Sequence, residues 1–271
     1  MQFFSYLING ISLGSVYALI ALGYTMVYGI AKMLNFAHGD VIMIGSYVVY
    51  FAFGASGLNP VLSIVLSMIV CTILGVVIER LAYRPLREAP SLAVLITAIG
   101  VSYLLQQVAQ LSWSSNPKSF TSVVSGMKPV SLFGGQLTIS AETIVTIVAC
   151  VVIMVVLMWF VNYTPAGHAM LAVSEDRGAA QLMGVNVNGT ISLTFAIGSA
   201  LAAIAGALLC SSYPTLQPTT GAMPGIKAFV AAVFGGIGSI PGAFVGGILL
   251  GIIENLSKAY ISTQLSDAIV F

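Results

Sequence analysis

The sequence predicts an all-α integral membrane protein of about eight transmembrane helices, with broken or re-entrant segments and an inverted repeat. Three observations carry that reading. Hydrophobic residues make up 58% of the 271-residue chain and charged residues only 6%, at a mean hydropathy of +1.03. Ordinary soluble domains carry about 25% charged residues, so this chain has too little polar surface to stand in water. Apolar runs recur near the ~20-residue length that crosses a bilayer. Two runs are interrupted by glycine and polar residues, "MLNFAHGDVIMIGSY" and "FGGIGSIPGAFVGGILLG".

The spans follow in order. The first three run from Phe3 to Ile30, from Phe36 to Phe53 and from Pro60 to Ile78. Three more cover Leu92–Leu111, Ala141–Val161 and Ile191–Cys210. Ile226–Phe234 and Gly242–Leu256 complete the set. A segment opening at Leu265 stops at Phe271, too short to cross, so the last span reads as cut; completed, it would be a ninth. "MQFFSYLINGISLG" lacks a basic leader, so no cleaved signal peptide is expected. Cys71, Cys150 and Cys210 sit inside apolar runs and read as small packing residues.

Arginine and lysine concentrate in cytoplasmic loops. Arg80, Arg84 and Arg87 share one short connection, which is therefore expected inside. Counting spans from it puts Lys32 and the connection at about 162–190 inside, and Met1 and the long loop at about 112–140 outside. Lys118 and Lys128 count mildly against that side. Residues 1–271 then form a single transmembrane domain.

The inner connection holds "AVSEDRGAAQLMGVN". Ser174 can cap a helix start by accepting from free N–H groups of the first turn. Glu175 and Asp176 would follow at the positive end of the helix dipole. Gly184 after Met183 suits a C-terminal stop. The expected helix is Glu175–Met183, with Ala179, Ala180 and Met183 along one side and Asp176, Arg177 and Gln181 as polar edges. It is a solvated loop helix or one that docks into a partner's groove.

The first broken run holds Asn35, Phe36, His38, Gly39 and Asp40. The second holds Gly235, Gly236, Gly238, Ser239 and Gly242, with Pro241 among them. Freed backbone groups at membrane depth must be buried in protein or line a wet cavity. The two breaks occupy corresponding positions in oppositely oriented halves, so both are candidates for a substrate path, meeting near the middle of the bundle. Glycines at Gly238, Gly242 and Gly246 equally suit tight helix packing. His38 reads as a structural hydrogen bond and Asp40 as a partner of a helix terminus.

Several functions are excluded. His38 and His168 are the only histidines, and neither has ligand spacing to cysteine or carboxylate. No Walker A pattern occurs, so the chain does not hydrolyse ATP by that route. A net charge of +1 gives no nucleic-acid footprint.

"NGISLGSVYALIALGYTMVYGIAKMLNFAHGD" resembles the N-terminal signature of the branched-chain amino acid permeases of ABC importers. "FVAAVFGGIGSIPGAFVGGILLG" is similar to their C-terminal glycine-rich signature, and "SEDRGAAQLMGV" to the loop they dock onto an ATPase. The chain is most like the first of the family's two related permease subunits, and its departure is the stop at Phe271. The resemblance implies a plasma (inner) membrane protein that forms half of a translocation path for leucine, isoleucine, valine or related small amino acids and amides. It implies a second, similar permease, two cytoplasmic ATPase subunits and an external substrate-binding protein. ATP and Mg would be bound by the ATPase subunits, and no cofactor by this chain. Ser174 to Gly184 would then couple to the motor.

Two other classes compete. An ion-coupled secondary transporter needs ionisable groups within spans, for which Asp40, Glu142, Lys227 and Glu254 are available. A passive channel for urea or small amides is the other. Neither requires a docking helix.

Overall fold

The computed structural model describes residues 2–124, 126–127, 129–132 and 137–271. Met1 and Lys128, both used in the orientation argument, lie outside the described residues. Helix α1 covers Gln2–Ala31 and α2 His38–Val49, which continues as a π-helical turn through Tyr50–Ala55. Helix α3, Pro60–Ile78, starts with Asn59 accepting from Val61 N–H and Pro60 in the first turn, where a missing N–H costs nothing. It runs on through a π turn, Glu79–Tyr83, and a 3₁₀ turn, Arg84–Leu86. Then come α4 (Ser91–Trp113), α5 (Ala141–Tyr163), α6 (Pro165–Glu175), α7 (Arg177–Leu182) and α8 (Val187–Ser212). The chain closes with α9 (Ala222–Phe234), α10 (Ile240–Tyr260) and α11 (Ser266–Val270). Two short antiparallel ladders join connections: Lys118–Ser119 with Thr215–Leu216, and Val130–Leu132 with Leu137–Ile139.

Six helices among the described residues are long and apolar enough to cross a membrane: α1, α3, α4, α5, α8 and α10. Of the eight expected segments these six are long enough to cross by themselves, and the other two are the shorter helices α2 and α9. Helix α9 has 13 residues, about 20 Å, against a ~30 Å hydrocarbon layer. Hydropathy marks such a helix as apolar but says nothing of whether lipid or protein surrounds it. The segment from Leu265 forms only the five-residue α11.

Helix α1 is the centre of the bundle, with 94% of its most apolar stretch buried. Lipid tails are as apolar as leucine, so helices in a bilayer associate through close packing of small residues. Here α1 meets α10 backbone to backbone. A Cβ on Gly14 would stand 2.7 Å from Ile248 O, and one on Gly10 3.0 Å from Ile252 Cα. By contrast α3, α4 and α5 are mostly unburied and turn Ile73, Leu104 and Val152 outward, as lipid or a partner helix requires.

Helix α1 ends on Lys32 at φ +55°, a left-handed conformation. The chain then doubles back. Helix α2 starts beside Gly23, about two turns before the end of α1, where the Gly23 backbone lies against the His38 ring. Helix α9 starts beside the first turn of α2: a Cβ on Gly39 would stand 2.6 Å from Gly221 O, and one on Gly225 3.0 Å from Gly39 Cα. Only glycines permit this contact between two helix starts.

Candidate functional site

A cavity of about 280 Å³ opens where these two helix starts face α4. Its walls are Tyr24 of α1, Phe36, Gly39 and Asp40 at the start of α2, Ile99, Ser102, Tyr103 and Gln106 of α4, and Ala222 and Ile226 of α9. Asp40 is 2% exposed, and its Oδ1 accepts from Gln106 Nε2 at 2.9 Å. Behind the cavity, Asn35 is buried and its Oδ1 accepts from the Tyr83 hydroxyl at 2.9 Å. Tyr83 packs on Phe195 of α8. Phe36 and Tyr24 both pack on Phe229 of α9, which ties the broken segment to that short helix.

The five residues predicted in the first break thus divide. Phe36, Gly39 and Asp40 line the cavity; Asn35 and His38 stand behind it. His38 is buried and lies edge-on to Tyr24, with ring centroids 4.8 Å apart. Its Nε2 has no hydrogen-bond partner among the described residues, while the structural hydrogen bond expected of the ring is made to the backbone of Ile20. Ser102 and Gln106 escaped the sequence reading, although a signal existed. With Gln110 they form a four-residue polar spacing along one face of an otherwise apolar span.

The second break lies elsewhere, and the expected meeting of the two breaks is corrected. Gly235, Gly236, Gly238 and Ser239 form the turn between α9 and α10. Gly236 and Gly238 stand at φ +93° and +98°, which that turn requires. Gly235 packs against the carbonyl of Gly242, and Gly246 against that of Ala231. Ser239 caps α10 by accepting from Gly242 N–H at 3.2 Å. None of these residues lines the cavity; Gly235 and Gly242 line a separate groove with Phe234, Val245 and Leu249. A missing Cβ reveals that something comes close, not what it is.

The connection between α5 and α8 is also rearranged. The expected Glu175–Met183 helix is two helices. Ser174 belongs to the last turn of α6 and donates to Leu171 O at 2.7 Å, so it is not the cap. Glu175 closes α6. Asp176 caps α7, accepting from Gly178 N–H at 2.7 Å and Ala179 N–H at 3.0 Å. Gly184 ends α7 at φ +85°, donating to Gln181 O while Val185 N–H reaches Ala180 O, a paired C-terminal stop.

The supposed single face splits too. Ala180 is 4% exposed and points into the chain's own core, while Ala179 is exposed. Leu182 and Met183 are 90% and 85% exposed. Arg177 donates from Nη2 to the carbonyl of Ala31 at the end of α1. Burial and the nearby Arg87 guanidinium hold its pKa below the usual arginine range. Arg87 in turn pairs with Glu79 and donates to Asn188, and Ser192 donates to Glu79 Oε2 at 2.6 Å. Helix α7 is therefore tied through Arg177 to the segment that leads into the cavity.

Six long apolar helices, with two helix starts and a buried carboxylate held against a half-open cavity, fit a multi-pass membrane protein. A family profile described as branched-chain amino acid transport system / permease component matches residues 6–271. The high-affinity branched-chain amino acid transport system permease protein LivH of Salmonella typhimurium is 43% identical over 282 residues, covering 100% of this chain and 91% of that protein. The corresponding BraD of Pseudomonas aeruginosa is 44% identical over 277 residues, covering 98% and 89%. Among solved structures, PsaBC from Streptococcus pneumoniae in complex with Fab aligns with a TM-score of 0.45 at 14% identity, covering 100% and 87%. The chain belongs to the family of permease components of branched-chain amino acid transport systems. It is a transporter component and not the ATPase.

Proposed function

We propose that this chain moves leucine, isoleucine or valine inward through the cavity between α2, α4 and α9, driven by ATP hydrolysis on partner subunits. The observation that carries the reading is the meeting of two short helix starts at a half-open cavity whose outer wall, Ile99, Tyr103 and Ile226, is exposed. Broken helices are tolerated in membranes where they line such a space. On this reading α1 runs inward, α2 returns from mid-depth to the outside, and α9 runs from mid-depth to the inside. That opposed pair is the core of an inverted repeat spanning residues 1–271 as one domain, although the second break is the start of α9 and not the glycine turn.

The partners follow from membership of a transport system: a second permease completing the path, two cytoplasmic ATPase subunits that bind ATP and Mg, and an external binding protein. The protein sits in the inner membrane with α6 and α7 in the cytoplasm. Asp176 and Gly184 frame the docking helix, and Leu182 and Met183, with Ala179 beside them, enter the ATPase groove. Arg177 passes the resulting displacement to the end of α1.

Three outcomes are expected. Ser102→Trp fills the cavity and abolishes transport of labelled leucine by reconstituted complex while subunit composition stays normal; wild-type transport by this variant would refute the path. Leu182→Asp with Met183→Asp removes two exposed apolar anchors and is expected to lower ATPase co-purification at least tenfold. Ala180→Trp is a poorer probe, because Ala180 is inside the permease core. Single cysteines replacing Arg84 and Asn116, both exposed, are expected to label from the inside and the outside respectively; labelling of both from one side would reverse or refute the orientation.

A further inference from the structure

We propose that Asp40 receives the α-ammonium group of the amino acid in transit, and that Gln106 positions its carboxylate. The inference rests on reading the cavity as the path. Its starting point is a contrast among three fully buried carboxylates. Glu79 is paired with Arg87, and Glu254 with Lys227 and Lys258. Asp40 is as buried as they are, yet no lysine, arginine or histidine nitrogen lies within ion-pair distance of it among the described residues.

An ionised carboxylate held away from water is costly unless a charge or hydrogen bonds compensate it. Asp40 lies in the first turn of α2, where the helix dipole compensates part of that cost, and Gln106 adds one hydrogen bond. Among the described residues no cation stands beside it, and Asp40 borders a space large enough to admit one. An amino acid zwitterion brings an ammonium group without adding net charge. Phe36, Ile99 and Ile226 form an apolar wall for a branched side chain, and the start of α9 at Ala222 offers a positive dipole end toward its carboxylate. The cavity thus matches the three chemical parts of a branched amino acid.

A purely structural role, bracing α2 against α4, would be met by asparagine, which keeps the shape and can bond Gln106. The test therefore uses the whole transporter in proteoliposomes with its binding protein and labelled leucine. Asp40→Asn is expected to cut transport at least tenfold, with normal subunit composition and persisting binding-protein-stimulated ATP hydrolysis. Asp40→Glu is expected to recover transport several-fold above Asp40→Asn. Wild-type transport by Asp40→Asn, or equal loss in both variants, overturns the assignment. A second measurement keeps Asp40 intact. A single cysteine at Ser102, on the cavity wall, is labelled with a thiol reagent; Cys71, Cys150 and Cys210 are buried. Leucine is expected to protect it at concentrations where 4-methylpentanoate, the same skeleton without the ammonium, does not. Equal protection by both overturns ammonium recognition but leaves the path standing. No protection by either overturns both, as does normal transport by Ser102→Trp.

Discussion

Glu254→Leu is expected to destabilise the folded protein by about 3–5 kcal/mol, the range for removing one partner of a buried ion pair. Glu254 is 1% exposed and anchors three donors. Its Oε1 accepts from Lys227 Nζ at 2.8 Å and from Lys258 Nζ at 2.5 Å, and its Oε2 accepts from the Tyr17 hydroxyl at 2.8 Å. These bonds join α1, α9 and α10. Lys227 also pairs with Asp267 at 2.7 Å, which brings in α11. Without Glu254 the buried Lys227 ammonium keeps only Asp267, whose side chain is half exposed. The loss thus comes mainly from a stranded charge. Combining Glu254→Leu with Lys227→Met is expected to recover most of it, because an apolar pair of similar volume has no charge to desolvate. Unfolding in detergent, followed against temperature, distinguishes the cases. If the single variant unfolds at the wild-type temperature, or the double variant is worse than either single one, the cluster does not work this way.

Gly251→Leu is expected to prevent accumulation of folded permease. A Cβ at residue 251 collides with the backbone of Gly14, and also stands 2.8 Å from Gly10 O. Backbone atoms cannot turn aside as a side chain can, so α1 and α10 must separate along the seam that Gly10, Gly14 and Gly247 share. Overpacking a core against movable side chains costs typically 1–3 kcal/mol; this seam faces the most buried helix and should exceed that. Gly100→Leu is the control. Gly100 lies within α4 with nothing within 4 Å of an added Cβ, so the same change there should leave yield and monodispersity unaltered. Equal behaviour of the two variants would show that the close contact is dispensable.

The Pro60–Ile78 span was found to the residue, because proline at a helix start and an unbroken apolar run are local signals. The stop at Gly184 was legible for the same reason. The start of α7 is ambiguous in sequence because Ser174 and Asp176 are both good caps, and the choice depends on α6 running through Ser174. Thr164 and Pro165 announced that helix, with Thr164 accepting from Gly167 N–H at 3.0 Å. Asp40 could be named as a candidate from its place in an apolar run. Its partner Gln106 could not, since 66 residues separate them in the chain.

Hydropathy and the three motifs by themselves determined a helical membrane protein, most helix bounds and the permease family. Those properties depend on the transfer free energy of neighbouring residues and on short patterns, which sequence carries directly. Tertiary structure alone decided that the start of α9 meets the start of α2, that among the described residues Asp40 lacks a cation while Glu79 and Glu254 have theirs, and which glycines meet which backbone. Each of these depends on distances of a few ångströms between segments remote in the chain. A glycine or a carboxylate has the same local propensity whether it packs, pairs or waits for a ligand; only its neighbours in space distinguish the three.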